Sequence, residues 1–254
     1  MLQETIITQA VVETFTTKFT NHIENDVVIV GAGPSGLVLG YYLTKAGIKT
    51  AIYEKKLSPG GGIWGGGMMM NQVVLQDDCM HIADEFSFRL KKFREGYYTV
   101  DAVEMSAKLI AKTLDAGCVL FNTIEIEDIV VKENRVGGVV INWTPVKMTN
   151  LHVDPLMIKS RFVVDSTGHP SAVVSLLAKR GMIAPPKGEA PMFCDSGEKM
   201  TVENTKEVYP GLYVTGMAAC GYFGSPRMGP IFGGMLLSGE KCANEIIQKM
   251  KADS

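Results

Sequence analysis

The sequence predicts an α/β fold built on a Rossmann-like dinucleotide-binding core. Three observations predict it. Residues Asp26–Lys56 read DVVIVGAGPSGLVLGYYLTKAGIKTAIYEKK, an apolar run, a glycine turn, a helical run and a second short apolar run. Two later apolar runs end in small or polar residues: Arg161–Asp165 before Ser166-Thr167-Gly168-His169, and Leu212–Val214 before Thr215-Gly216-Met217. The chain closes on a helical pattern over 229–251. With 254 residues, 46% of them hydrophobic, there is enough apolar side chain for a sizeable core.

The elements follow in order. Residues 3–22 have the pattern of a short amphipathic helix, with Ile6, Ile7, Ala10, Val11 and Phe15 on one side. Val27–Val30 is continuously apolar, as a strand buried on both faces should be. Leu37, Tyr41 and Leu43–Ala46 recur at helical spacing, and Gly47 ends that helix. Ala51–Tyr53 form the next strand. Residues 58–70, SPGGGIWGGGMMM, are too rich in glycine for a regular element and read as a loop. Residues 77–95 and 101–117 read as helices, with Lys91, Lys92 and Arg94 on a solvated face. Cys118–Phe121, Glu125–Lys132 and Arg135–Trp143 read as strands, the last two joined by a turn near Glu133–Asn134. Residues 144–159 break the pattern with two prolines, and Ser171–Arg180 reads as a helix. With no internal repeat and no linker, residues 1–254 are expected to form one domain, with inserted excursions at about 58–100 and 122–160.

Composition excludes several classes. A net charge of −2 without a basic stripe argues against a nucleic-acid partner. Five cysteines, none in CxxC spacing, argue against a disulfide framework or structural zinc and point to a reducing interior. The start, MLQETIITQAVVETF, has neither the basic region nor the unbroken apolar core of a signal peptide, and no run reaches membrane-spanning length. A soluble, cytoplasmic protein without a membrane partner is expected.

Gly31-Ala32-Gly33-Pro34-Ser35-Gly36 is a dinucleotide fingerprint with its strand before and its helix after. Gly31 permits the tight turn, Gly33 lets the backbone approach a pyrophosphate, and Gly36 allows close helix–strand packing. The helix N-terminus then directs unpaired N–H groups at phosphates. Glu54 ends the second strand, where a carboxylate accepts both ribose hydroxyls of an adenosine and repels the 2′-phosphate of NADP. The fingerprint does not separate FAD from NAD. Flavoproteins of this architecture carry a late strand ending in Gly-Asp; here the corresponding place reads Thr215-Gly216-Met217, and the acid is missing.

There are four histidines. His22 and His81 fall in presumed helices and read as surface or internally satisfied residues. His152 lies in Leu151-His152-Val153-Asp154-Pro155, within the irregular stretch, and His169 stands where open α/β sheets place their ligands. One imidazole and one carboxylate suit a divalent metal with open positions for substrate, although a histidine capping a strand end is the commoner case. Arg227, in Ser225-Pro226-Arg227-Met228-Gly229-Pro230, precedes the last helix; its guanidinium suits a bidentate carboxylate or a surface ion pair equally well.

Taken together, VIVGAGPSGL (Val28–Leu37), YEKK (Tyr53–Lys56), PGGGIWGGG (Pro59–Gly67), HVDP (His152–Pro155), STGH (Ser166–His169) and RMGPIFGGMLLSG (Arg227–Gly239) resemble the thiamine thiazole synthases in their archaeal-type, sulfide-dependent form, over nearly the whole chain. The resemblance implies the FAD/NAD(P)-binding, glutathione-reductase-like variant of the Rossmann fold, with inserted β-strands and a C-terminal helix. It implies an iron-dependent, multi-turnover synthesis of an adenylated thiazole carboxylate from NAD, glycine and free sulfide. Ser35, Glu54, Lys55 and Gly62 would hold the adenosine diphosphate moiety, with Ile126 meeting the adenine through its backbone and Met217 beside the ligand. Asp154 and His169 match the Fe(II) ligands, in a site that neighbouring subunits can share, and Arg227 matches the arginine that grips glycine. Eukaryotic members have a sulfur-donating cysteine where this chain has His152; imidazole cannot donate sulfur, and His152 is instead a candidate proton shuttle. The family is octameric, so a homo-octamer is expected. The competing readings are an FAD-dependent oxidoreductase of the same fold and a non-catalytic NAD-binding or metal-sensing protein.

Overall fold

A computed structural model describes residues 1–252. Its frame is a sheet whose parallel centre is assembled from β1 (Glu24–Val30), β2 (Thr50–Glu54), β6 (Val119–Asn122), β9 (Leu156–Asp165) and β11 (Leu212–Val214), in the order β11-β9-β1-β2-β6. β10 (Lys206–Tyr209) closes one edge antiparallel to β11. The register sets Val27–Val30 beside Thr50–Tyr53 on one side and Phe162–Asp165 on the other. Every residue from Val27 to Val30 is buried, which is the physical reason for its unbroken apolar run.

Helices cover one face: α2 (Pro34–Lys45), α4 (Ala102–Asp115) and α9 (Gly233–Ala252) share a core with Val27, Ile29 and Ile52. The other face is covered by the hairpin of β7 (Ile124–Lys132) and β8 (Arg135–Trp143) and by α6 (Ala172–Lys179), packed on Val28, Val30 and Val163. Glu133 and Asn134 turn this hairpin with φ of 50° and 57°, as a tight two-residue connection requires. β9 serves both layers: Leu156–Lys159 pair antiparallel with β8, and Lys159–Asp165 continue parallel to β1. This strand begins inside the stretch expected to be irregular, because β8 supplies a ladder partner that no local pattern announces.

The expected helix over 77–95 is corrected. Asp77–Cys79 form a 3₁₀ turn, α3 spans only Met80–Glu85, and the chain then enters β4 (Lys91–Arg94). β4 joins β3 (Gln72–Leu75) and β5 (Tyr97–Asp101) in a small antiparallel sheet of order β3-β5-β4. Lys91, Lys92 and Arg94 are exposed, but on a sheet edge rather than a helix face; lysines there discourage edge-to-edge pairing. α5 (Thr144–Met148), α7 (Cys194–Glu203) and α8 (Met217–Phe223) were likewise not anticipated.

The N-terminal helix α1 spans Glu4–Asn21, close to expectation, but buries no residue. Only its C-terminal end packs, with Phe15 and Phe19 around Phe121 at centroid distances of 6.2 and 5.7 Å. Ile6, Ile7 and Val11 stay exposed. Among the described residues no helix is long and apolar enough to cross a membrane.

Candidate active site at the ends of the parallel strands

A cavity of about 650 Å³ opens where the carboxyl ends of β1, β2, β9 and β11 meet. Open α/β sheets bind ligands there because each strand ends in a loop that turns away and leaves a crevice. Gly31, Gly33, Ser35, Glu54, Lys55, Gly62, Ile126, His169, Met217 and Arg227 all line it. Residues distant in sequence, expected to bind the nucleotide, the metal and glycine, therefore line one cavity.

The fingerprint turn is built by close approach. A Cβ on Gly31 would lie 2.4 Å from the Ser166 carbonyl oxygen, and φ at Gly31 is 101°. A Cβ on Gly36 would lie 2.3 Å from the Gly31 oxygen, so this glycine packs the helix onto the strand and stays out of the cavity wall. At Gly33 a Cβ would meet nothing within 4 Å, so its openness serves whatever fills the cavity. Glu54 is buried and already engaged: Oε2 accepts the Ala32 N–H and Oε1 the Lys56 N–H, both at 2.8 Å. The glycine-rich loop is tied to the same turn by the Gly60 N–H donating to the Ala32 oxygen at 2.8 Å, and Trp64 Nε1 donates to the Pro59 oxygen at 2.7 Å.

At the end of β9, Asp165 is fully buried and accepts from the N–H groups of Val173 and Val174 in α6 and from Thr167 N and Oγ1. Burial pushes its carboxyl up, and these four donors oppose that shift. The turn so fixed carries Ser166, whose Oγ is 2.9 Å from Ser35 Oγ, and presents His169. His169 Nδ1 is hydrogen-bonded to Glu189 Oε1, and Glu189 Oε2 accepts from Arg227 Nε at 2.7 Å. Nothing in the unpatterned stretch around Glu189 marks this residue, and it was not anticipated. His22 is paired locally with Asn25, and His81 with Glu240 of the last helix.

His152 and Asp154 are placed differently. Both are exposed, on the segment between α5 and β9, and neither lines the cavity. Within one chain Asp154 does not join His169. Among the described residues no group of three or more His, Cys, Asp or Glu side chains is arranged to hold a metal ion. The donors of a single chain do not fit an iron site by themselves.

Residues 8–232 match the Thi4 family. The chain belongs to the Thi4 family. Thiamine thiazole synthase of Pyrococcus furiosus is 58% identical over 250 residues, spanning 98% of this chain and 99% of that protein. The thiamine thiazole synthase of Thermotoga maritima is 46% identical, again over 98% of this chain and 99% of its relative. The crystal structure of Thermovibrio ammonificans THI4 superposes with a TM-score of 0.96 at 48% identity, covering 98% of this chain and 99% of that one. The fold that frames the cavity of this Thi4 family member is thus shared with that solved structure over nearly the full length of both chains.

Proposed function

We propose that this Thi4 family member synthesises the thiazole moiety of thiamine, as an ADP-thiazole carboxylate, from NAD, glycine and free sulfide over many turnovers. The observation carrying this reading is the single cavity that holds Glu54 and the fingerprint turn together with His169 and Arg227. Glu54, Ser35, Lys55 and Gly62 hold the adenosine diphosphate portion, with Ile126 at the adenine and Met217 beside the ligand. Arg227 holds the glycine carboxylate through its guanidinium.

Water first displaces nicotinamide from NAD, with release of a proton, and the resulting ribose opens to present a carbonyl. The glycine amine condenses with it, releasing water, and isomerisation yields a conjugated imine. Hydrosulfide adds to that system, and ring closure with loss of water gives the thiazole. Holding both reactants in one cavity replaces encounters in solution with near-attack geometry. His152 stands where a donor cysteine would be needed for single-turnover chemistry, so sulfur comes from solution; because it lies outside its own cavity, it would shuttle protons for these steps only in the cavity of a neighbouring copy.

Fe(II) is assigned to His169 of one chain and Asp154 of a neighbouring copy in a homo-octamer. Two features support a shared site: Asp154 lies outside its own cavity, and the surface around it is apolar. Trp143, Met148, Leu151, Val153 and Leu156 are exposed there, and Phe15 of α1 sits 5.8 Å from Trp143, ring centre to ring centre. Such a patch is larger than scattered surface hydrophobics and suits burial by another copy.

The test is an anaerobic incubation of purified protein with NAD, glycine, sulfide and Fe(II), followed by chromatography and mass measurement. An adenylated, sulfur-containing product in excess of enzyme is expected. Intact NAD together with a bound yellow cofactor would return the chain to the flavin oxidoreductases.

A further inference from the structure

Glu189 joins two cavity-lining side chains without lining the cavity itself. It stands in a segment laid against the Arg227 loop: Ala190 N–H donates to the Ser225 oxygen at 3.0 Å, Arg227 N–H to the Ala190 oxygen at 3.3 Å, and Phe193 N–H to the Arg227 oxygen at 3.0 Å. The Glu189 side chain is only 10% exposed, against 60% for His169 and 59% for Arg227, so a covered carboxylate anchors two groups that reach into open space. Each of its oxygens has one of these partners.

We propose that Glu189 is a positioning residue that fixes His169 and Arg227 relative to each other and selects which of their atoms face the ligand. This deepens the synthase reading and rests on it for the identity of the ligand. A carboxylate accepts hydrogen bonds, so the contact favours the tautomer with the proton on Nδ1, the nitrogen that faces Glu189, and leaves Nε2 for the ligand. On Arg227, Glu189 uses Nε and leaves the terminal amino groups for a ligand carboxylate. Without Glu189 the imidazole is free to exchange tautomers and the guanidinium to swing. Glutamine does not reproduce it: with its carbonyl oxygen on Arg227, its NH₂ donates to Nδ1 and selects the opposite His169 tautomer, and turned the other way its NH₂ opposes the Arg227 N–H.

The experiment uses full-length protein and two readouts. First, ¹⁵N-histidine spectra of the ligand-free protein are assigned among its four histidines with H169A. The wild type is expected to hold His169 in the Nδ1–H tautomer, and E189A to show a mixture. Second, E189A is expected to raise the KM for glycine roughly tenfold or more, the scale of the charge-assisted hydrogen bond that Arg227 loses. The affinity for ADP-ribose should stay within about twofold, since no hydrogen bond links Glu189 to the Glu54 side of the cavity. An unchanged tautomer in E189A, or an ADP-ribose affinity falling in step with the glycine KM, overturns the assignment. The spectra need no turnover: a wild type that makes no thiazole sinks the synthase reading, while the His169 tautomer still decides the role of Glu189.

Discussion

Glu54 and Ala32, 22 residues apart, are joined by a 2.8 Å hydrogen bond from the Ala32 amide to the carboxylate. The acid that ends the second strand therefore shapes the glycine turn that ends the first. A carboxylate has about four acceptor sites, of which Ala32 and Lys56 use two, so capacity remains for ligand hydroxyls. E54Q should weaken ADP-ribose binding roughly ten- to hundredfold, because an NH₂ then opposes one of the two backbone donors. Calorimetric titration reads the change; an unaltered dissociation constant would remove Glu54 from the ligand site.

Gly31 and Gly33 should respond in opposite ways to alanine. G31A places a Cβ 2.4 Å from a carbonyl oxygen at a positive φ, so a large loss of Tm or insoluble protein is expected. G33A meets no atom within 4 Å, so its stability should change by no more than about 1 kcal/mol, while the methyl group intrudes on the cavity and weakens ADP-ribose binding. Thermal melts paired with titrations separate the two; a destabilised G33A would contradict the open space observed there.

Arg227→Ala should raise the KM for glycine with little change in ADP-ribose affinity, and Arg227→Lys should recover only part of the loss. Lysine restores the charge but not the planar fork that meets a carboxylate twice. Steady-state kinetics over a glycine series decide it; equal effects on both ligands would mean that Arg227 shapes the whole cavity.

The proposal that copies share an iron site predicts complementation. D154A and H169A should each bind little Fe(II) as homo-oligomers, while oligomers reassembled from both variants should regain a fraction of the metal. Anaerobic dialysis followed by elemental analysis measures it. Recovery no greater than the average of the two parents would show that the ligands come from one chain or that the pair is misassigned.

Glu104 gives a pH prediction independent of the cavity. Burial would push its carboxyl up, but hydrogen bonds from Lys108 and Arg89 outweigh this and hold it at about 2. A depressed folded-state pKa stabilises the protein above the unfolded carboxylate range near ~4.3 and ceases to do so as pH falls through about 2. E104Q should therefore lower Tm at neutral pH, with the difference shrinking through that window. A deficit independent of pH would indicate lost packing instead.

The glycine turn and the acid that line one side of the cavity were legible because they are local. The turn at 31–36 and the acid at 54 fall in one strand–helix–strand unit, where glycine sterics and strand periodicity act over a few residues. The small sheet of β3, β4 and β5 was not legible. Lys91-Lys92-Phe93-Arg94 lacks alternation because it is an exposed edge, held in place by its ladder to Tyr97–Thr99. α1 reads as a helix, yet Ile6, Ile7 and Val11 on its apolar side meet no core in the single chain, since hydrophobic periodicity reports that a face is to be covered but not by what.

By itself the sequence determined the dinucleotide turn, the buried parallel strands and the residue types available at the strand ends, since each follows from backbone sterics and the burial of neighbouring side chains. Only the tertiary structure decided that Glu189 joins His169, 20 residues before it, to Arg227, 38 residues after it. It alone decided that Asp154 stays exposed and away from the His169 cavity within its own chain. Hydrogen bonds between distant segments depend on how strands are ordered and loops packed, and no pattern confined to neighbouring residues carries that information.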